Sequence, residues 1–430
     1  MKQSQLFSKT RKEAPKDEVS RNAQLLIRAG YIHKEMAGVY SYLPLGLRVL
    51  NKIGNIIREE INAIGGQEVF MTSLQDKASW EKTGRWSDTV IDNWFKTELK
   101  NGSEVGLAST HEEALVSILK NYVQSFRDLP FSAYQIQTKF RNEARAKSGI
   151  MRGREFLMKD LYSFSRDIKE HDAFYEKAKL AYKRIYERTG LGDRTFITFA
   201  SGGSFSKYSH EFQTLTSAGE DVIYLDKKKG IAVNKEVFVD EVLNELGIKR
   251  ENLVEEKAVE VGNIFSLGTK FSEPLELKFV DEKGVKQNVI MGCYGIGLGR
   301  LMGAVVEVLS DADGIVWPDA VAPFRVHLIA IADKAGKVAE EATKLYNALT
   351  EKGIDVLYDD RDARPGEKFA DSDLLGLPHR VVLSEKTLAE GVVEYKPRRA
   401  NAVGERPVEK ITQAELLARL SRNTQNEKTC

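Results

Sequence analysis

Apolar residues at Leu50, Ile53, Ile57, Ile61 and Ile64 recur at the spacing of one helical face. They predict a helix within "LPLGLRVLNKIGNIIREEINAI", closed by Gly65 and Gly66 and followed by a strand in "QEVFMTSL". "HEEALVSILKNYVQSF" reads as a second helix, entered from Ser109 and Thr110. The pattern then changes to alternation in "AYQIQTKFRNE", where Tyr134, Ile136 and Thr138 share one side, as in a strand. "REFLMKDLYSF" reads as its antiparallel partner, with Ala144 to Met151 as the connecting loop. Strands mixed with helices and no βαβ rhythm predict an α+β fold around an antiparallel sheet.

The pattern shifts again after "SDADGIVWPDAVAPF", a stretch rich in Asp, Gly and Pro. Beyond it, "RVHLIAIA", "GIDVLYDD" and "HRVVLS" read as strands, and Val338, Ala342, Leu345 and Leu349 trace a helix face. A boundary at 318/319 follows, with residues 319–430 forming a compact α/β domain of ordinary size. The last residues, "RNTQNEKTC", are expected to fray.

Composition narrows this picture only a little. A chain of 430 residues is long for one core, which agrees with two domains. Sixty-four Lys and Arg against 63 Asp and Glu leave a formal charge of +1, so any nucleic-acid site must be sought locally. Two cysteines, Cys293 and Cys430, exclude a disulfide scaffold and a cysteine-rich zinc site. The N-terminal stretch has no apolar core of a secretory signal, and no run approaches the ~18 apolar residues of a membrane span. A cytoplasmic location is the expectation.

Three stretches carry candidate chemistry. Arg141, Arg145, Arg152 and Arg154 crowd the predicted hairpin with Glu143, Glu155 and the aromatic Phe156. Guanidiniums fork onto phosphate or carboxylate oxygens and Phe156 can stack on a planar base, which together would suit a nucleotide. An exposed hairpin with surface ion pairs explains the same composition. Glycines at 292, 295, 297 and 299 precede Arg300 and an apolar helix, Leu301 to Val308. The third glycine of a dinucleotide fingerprint is missing, so tight packing competes with an anion held at a helix start. Thr110 and Glu112 could hold a protonated amine, or could be a helix cap and a first-turn carboxylate. The six histidines show no metal-ligand spacing, and His210 reads equally as a ligand or as a hydrogen-bonded structural residue.

Taken in order, "FRNE" with "RGREFLMKD" resembles motif 2 of the class II aminoacyl-tRNA synthetases, "GIGLGR" motif 3, and the Leu50–Phe70 region motif 1. "KEAPKDEVS", "GVYSYLPLG", "THEE", "FLMKDLYSF", "IFSLGTKFSE", "GCYGIG", "GIVWPDAVAPF" and "DDRDARPGEKFADSDLLGLPH" are similar to the bacterial-type prolyl enzymes and cover nearly the whole chain. The resemblance implies a catalytic domain on an antiparallel sheet flanked by helices, then an α/β anticodon-binding domain. It implies that L-proline, ATP with Mg2+, and tRNA(Pro) are bound, and that the chain is a homodimer. Arg141 would bridge the prolyl carboxylate and the α-phosphate. Glu143 would position the adenine end, Phe156 would stack on it, and Arg152, Arg300 and Gln213 would contact ATP. Thr110 and Glu112 would hold the ring nitrogen, with Met158, Tyr162, His210 and Cys293 shaping the amino-acid pocket. Tyr395, Lys396, Arg398 and Arg399, in "YKPRRANAVGERP", would meet the anticodon; a solvated basic turn is the competing reading.

Departures from the family pattern stand at Thr72, Ser109 and Ser165, where proline, proline and histidine are usual. None removes a charge that activation needs. Only a short segment, about 219–263, occupies the place where full-length bacterial relatives carry an editing insertion. No cis-editing domain is therefore expected, and misactivation of alanine follows. A synthetase for threonine, histidine or glycine, and a non-catalytic tRNA-binding relative, are the rival readings. The missing zinc-ligand spacing argues against the first, and the presence of Arg141 and Arg300 against the second.

Overall fold

The computed structural model describes residues 1–146, 148–202, 208–400 and 404–426, with side chains as far as Ser421. Contacts divide the chain into two compact units that are discontinuous in sequence. One holds residues 35–40 and 53–304, the other residues 1–34, 41–52 and 305–430, so the compositional boundary at 318/319 falls inside the second unit.

The predicted first helix is α1, Pro44–Ala63. The larger unit is built on a nine-stranded sheet: β1 Gly66–Glu68, β2 Phe131–Phe140, β3 Glu155–Ser165, β4 Thr195–Ser201, β5 Tyr208–Leu215, β6 Asp221–Asp226, β7 Ile231–Asn234, β8 Val254–Gly268 and β9 Ile290–Gly297. Their order across the sheet is β5-β4-β7-β6-β8-β9-β3-β2-β1, with β5 also pairing to β8. All neighbours are antiparallel except β1 with β2 and β7 with β4. Residues 219–263 thus supply sheet strands, not a separate domain.

Helix α2, Glu112–Leu119, is shorter than its apolar pattern predicts, and its N-cap position is His111, with no side-chain cap bond. Helix α3, Ile168–Arg188, covers one face of the sheet. Asp167 caps it by accepting from the Glu170 N–H, and His171, Ala178, Ala181, Tyr182, Ile185 and Tyr186 bury at helical spacing. Gly262 on β8 permits the close approach, since a Cβ there would lie 2.2 Å from the Tyr186 hydroxyl. The opposite face of β3 carries Phe156, Met158, Asp160 and Tyr162, alternate residues of one strand.

Two local expectations give way to tertiary contacts. "QEVFMTSL" is not one strand: β1 ends at Glu68, and Leu74–Asp76 joins a separate small sheet with Glu104–Leu107 and Lys96–Glu98. Between them the Met71 backbone is held by the side chains of Gln135 and Gln137, at 3.0 and 2.7 Å. The hairpin strand stops at Phe140, so Arg141 and Glu143 lie in the loop. Asn142 is drawn to the Asn93 carbonyl at 2.7 Å, and a tight turn joins the Glu143 N–H to the Arg141 carbonyl at 2.8 Å. Strand alternation therefore accounts for Arg141, which continues the series Gln135, Gln137, Lys139, but not for Glu143.

In the second unit, β10 Val326–Ala330, β11 Val356–Asp359, β12 His379–Leu383, β13 Val393–Pro397 and β14 Glu409–Ile411 form a sheet ordered β11-β10-β12-β13-β14. The first three are parallel, the remainder antiparallel. Val338, Ala342, Leu345 and Leu349 bury from the helix Lys337–Glu351 as their spacing predicts. The C-terminal helix backbone runs to Asn426, so regular structure continues past Arg422, where fraying was expected. Residues 401–403 of the basic turn lie outside the described residues.

Candidate active site

Strand β9 ends at Gly297 and passes directly into α4, Leu298–Leu309, which puts Arg300 in the first turn of the helix. Gly295 and Gly297 leave the sheet floor bare: a Cβ on Gly295 would sit 2.9 Å from Asn263 Oδ1. Above this floor opens a pocket of about 560 Å³, lined among others by Arg141, Glu143, Arg152, Phe156, Met158, Glu260, Asn263 and Arg300.

Its cations are not equivalent. Arg300 donates through Nη1 to Glu260 Oε2 at 3.0 Å and through Nε to the Met151 carbonyl at 2.8 Å. Arg152 donates to Glu143 at 3.0 and 3.2 Å and to Glu220 at 3.2 Å. The Arg141 guanidinium has no hydrogen bond or ion pair among the described residues. It lies 5.4 Å from the centre of the Phe156 ring, and burial together with the charge of Arg300 pushes its pKa down. A desolvated guanidinium without a counter-ion is a strong attractor for an anion.

Beside the pocket lies a buried polar cluster. The Thr110 hydroxyl donates to Glu112 Oε2 at 2.5 Å, and the Cys293 thiol donates to Glu112 Oε1 at 3.4 Å. Thr110 therefore serves the carboxylate and not the helix end. The Tyr162 hydroxyl accepts from the His111 N–H at 3.1 Å and donates to Asp160 at 3.1 Å. Asp160 also accepts from Lys139 at 2.8 Å and from Gln135 at 3.0 Å. Burial pushes the Cys293 thiol up and His111 down to about 4, so both are neutral at pH 7.

The fold agrees with solved synthetases. It superposes on a Cryptosporidium parvum prolyl-tRNA synthetase complexed with halofuginone and AMPPNP with a TM-score of 0.77 at 18% identity, covering 94% of this chain and 77% of that one. A Giardia lamblia prolyl-tRNA synthetase in complex with prolyl-adenylate gives 0.75 at 19% identity, covering 91% and 74%. Residues 95–309 match the class II tRNA synthetase core domain (G, H, P, S and T), and residues 325–423 match the anticodon binding domain. The proline–tRNA ligase of Rickettsia akari is 38% identical over 95% of this chain and 98% of its own length. The chain belongs to the prolyl-tRNA synthetase family. The Anaplasma phagocytophilum ligase is 37% identical over 98% of the chain and all of its own length, so family members of this size occur. Alignment with the Bacillus cytotoxicus ligase, 32% identical over 96% of the chain, runs over 560 positions, so that prolyl-tRNA synthetase contains a long stretch absent from these 430 residues.

The structure gathers Arg141, Glu143, Arg152, Phe156, Met158 and Arg300 at one pocket of this synthetase, and Thr110, Glu112, Tyr162 and Cys293 in the adjoining cluster. It does not bring His210 there. That ring turns to the α3 face, 2.8 Å from the Tyr175 hydroxyl, and burial pushes it down to about 4, as for a structural histidine. Gln213 does not line the pocket; it is buried on β5 in register with Glu260 of β8, donating to Glu211 at 2.9 Å and Asp221 at 2.8 Å. In the second unit Tyr395 is a core residue whose hydroxyl meets His379 at 2.9 Å, and Arg398 is buried on Asp311 through two bonds of 2.7 Å. Lys396 and Arg399 remain reachable by solvent.

Glu260, Asn263, Arg85, Lys139 and Asp160 complete the site without having been singled out from sequence. Lys139 and Asp160 offered one usable signal, since each is a charge at an inward-facing strand position, where it must find a partner. Arg85 and Glu260 lie in stretches without a motif, and nothing local marks them.

Proposed function

We propose that the pocket joins L-proline and ATP to form prolyl-adenylate, and that the prolyl group then passes to a hydroxyl at the 3′ end of tRNA(Pro), with AMP leaving. A prolyl carboxylate oxygen attacks the α-phosphorus, the bond from that phosphorus to the bridging oxygen breaks, and pyrophosphate leaves. The attacking carboxylate is already ionised at pH 7, so no general base is required. The task is to hold two anions together and neutralise them. The observation that carries this reading is the half-buried Arg141 guanidinium, which lines the pocket with Arg300 and has no hydrogen-bond acceptor or counter-ion in contact among the described residues.

In this scheme Arg141 bridges the carboxylate and the α-phosphate. Arg300 and Arg152 exchange Glu260 and Glu143 for phosphate oxygens, and Phe156 stacks on adenine. Thr110 and Glu112 receive the protonated ring nitrogen, with Tyr162, Met158 and Cys293 around the ring. Among the described residues no group of three His, Cys, Asp or Glu side chains could hold a metal ion. Magnesium would come bound to the ATP phosphates, and no step is routed through it.

Three wider readings accompany this one. A homodimer is supported by exposed Val69 and Phe70, which directly follow the edge strand β1; an active species that runs as a monomer in light scattering would contradict it. Lys396 and Arg399 are the anticodon contacts retained. The cytoplasm is the compartment expected for the substrates, and cell fractionation checks it; among the described residues no helix is long and apolar enough to cross a membrane.

Residues 221–268 are occupied by sheet strands and short helices, which supports the absence of cis-editing. Alanine keeps the ammonium and carboxylate of proline and lacks only ring methylenes, a difference of about 1–3 kcal/mol. An amino-acid panel in ATP–pyrophosphate exchange should give proline first and alanine measurably above background. Robust exchange with threonine, histidine or glycine in place of proline would reject the assignment, and alanine at background would reject misactivation alone.

A further inference from the structure

Arg85 lies in none of the motifs, yet it is buried against the amino-acid cluster. Its Nη1 donates to both oxygens of Glu113, at 2.9 and 3.1 Å, and reaches Glu112 Oε2 at 3.4 Å. The guanidinium packs over the rings of Trp80 and Phe271, 4.8 and 5.0 Å from their centres. Glu112 and Glu113 are wholly buried at the start of α2, and Thr83 donates to Glu113 at 2.8 Å.

Two buried carboxylates thus share one guanidinium. Among the described residues the other charges near them include Lys139 and Asp160, which pair with each other, and Arg141, which faces the nucleotide pocket. His111, Tyr162 and Cys293 complete the surroundings and are all shifted toward their neutral forms. Burial pushes the Glu113 carboxyl up, against the pull of Arg85 and with the push of Glu112.

We infer that Arg85 and Glu113 are positioning residues that set the charge of the amino-acid pocket. Arg85 favours Glu113 through the two-oxygen contact, and its single, longer contact at 3.4 Å leaves the neighbouring Glu112 only partly compensated and able to meet a cationic ring nitrogen. This rests on the reading of Glu112 as the holder of that nitrogen. The pair selects for amino acids that present a protonated amine at this point, without touching them.

Charge arithmetic gives the test. Glu113→Gln releases Arg85 to Glu112 and makes the cluster neutral; the proline KM in ATP–pyrophosphate exchange should rise about tenfold or more while the ATP KM stays within about twofold. Adding Arg85→Gln to Glu113→Gln restores one net negative charge, and the proline KM should return to within about threefold of the parent. Burial holds the Glu113 carboxyl up at about 7, so in the parent its protonation acts as Glu113→Gln does and the proline KM rises as pH falls through neutrality. That rise is absent in both variants, which are compared with the parent on the alkaline side. A double variant no better than the single one, or a single variant that has lost ATP binding by calorimetry, makes the pair a structural staple and overturns the inference. Glu112→Gln separates the two levels: an unchanged proline KM there sinks the ring-nitrogen reading itself, whereas a large rise without rescue in the double variant sinks only the role of Arg85 and Glu113.

Discussion

Arg141→Ala is expected to lower proline-dependent ATP–pyrophosphate exchange by about 10³-fold, with the unfolding midpoint unchanged. Removing a single preorganised charge-stabilising donor typically costs about 10²–10³ in rate. Arg141 is placed to serve two anions at once, which puts the loss at the upper end. The stability half of the prediction comes from the same geometry. The guanidinium has no hydrogen bond or ion pair among the described residues, and the repulsion of Arg300 is set against the longer-range attraction of Glu260, Glu143 and Glu112, so its deletion breaks no ion pair and leaves little net change. A residue held for folding would show the reverse pattern: a lowered midpoint with exchange largely retained. That outcome would remove Arg141 from the chemistry.

Asp160→Ala is expected to destabilise the larger unit by about 3–5 kcal/mol, read as a shift of the denaturation midpoint at constant slope. Asp160 is 2% exposed, and Lys139, held to it at 2.8 Å, is fully buried. Deleting the carboxylate strands that ammonium in the sheet floor and leaves the Tyr162 hydroxyl and the Gln135 amide without an acceptor. Replacing both partners together, Lys139→Met with Asp160→Leu, should recover much of the loss, because an apolar pair carries no uncompensated charge. Equal destabilisation in the double variant would mean that the pair contributes through shape and not through charge. Proline exchange should fall with Asp160→Ala even where the protein is folded, since Tyr162 then loses its anchor.

Elements whose signal is local were legible. The apolar spacing of α1 and of the helix Lys337–Glu351, the alternation of β2 and β3, and the arginines of the hairpin could all be read from neighbours in the chain. Within the resemblance, the residues that came together, Arg141, Arg152, Phe156 and Arg300, lie on or beside those elements. His210, Tyr395 and Arg398 did not follow, for a shared reason. A histidine, a tyrosine or an arginine has the same chemistry whether it meets a ligand or a core partner, and the partners here, Tyr175, His379 and Asp311, stand 35, 16 and 87 positions away.

The sequence by itself determined which charges this protein owns, the periods that make its helices and strands, and the ordered motifs that place it in its family. Only the tertiary structure decided which of those charges stay uncompensated. Arg152 and Arg300 rest on carboxylates, Arg398 is spent on Asp311, Arg85 is divided between two glutamates, and Arg141 alone of these five has no acceptor among the described residues. A guanidinium is identical in every sequence. Its readiness for a ligand depends on desolvation and on the counter-ions within a few ångströms, and both are set by segments distant in the chain.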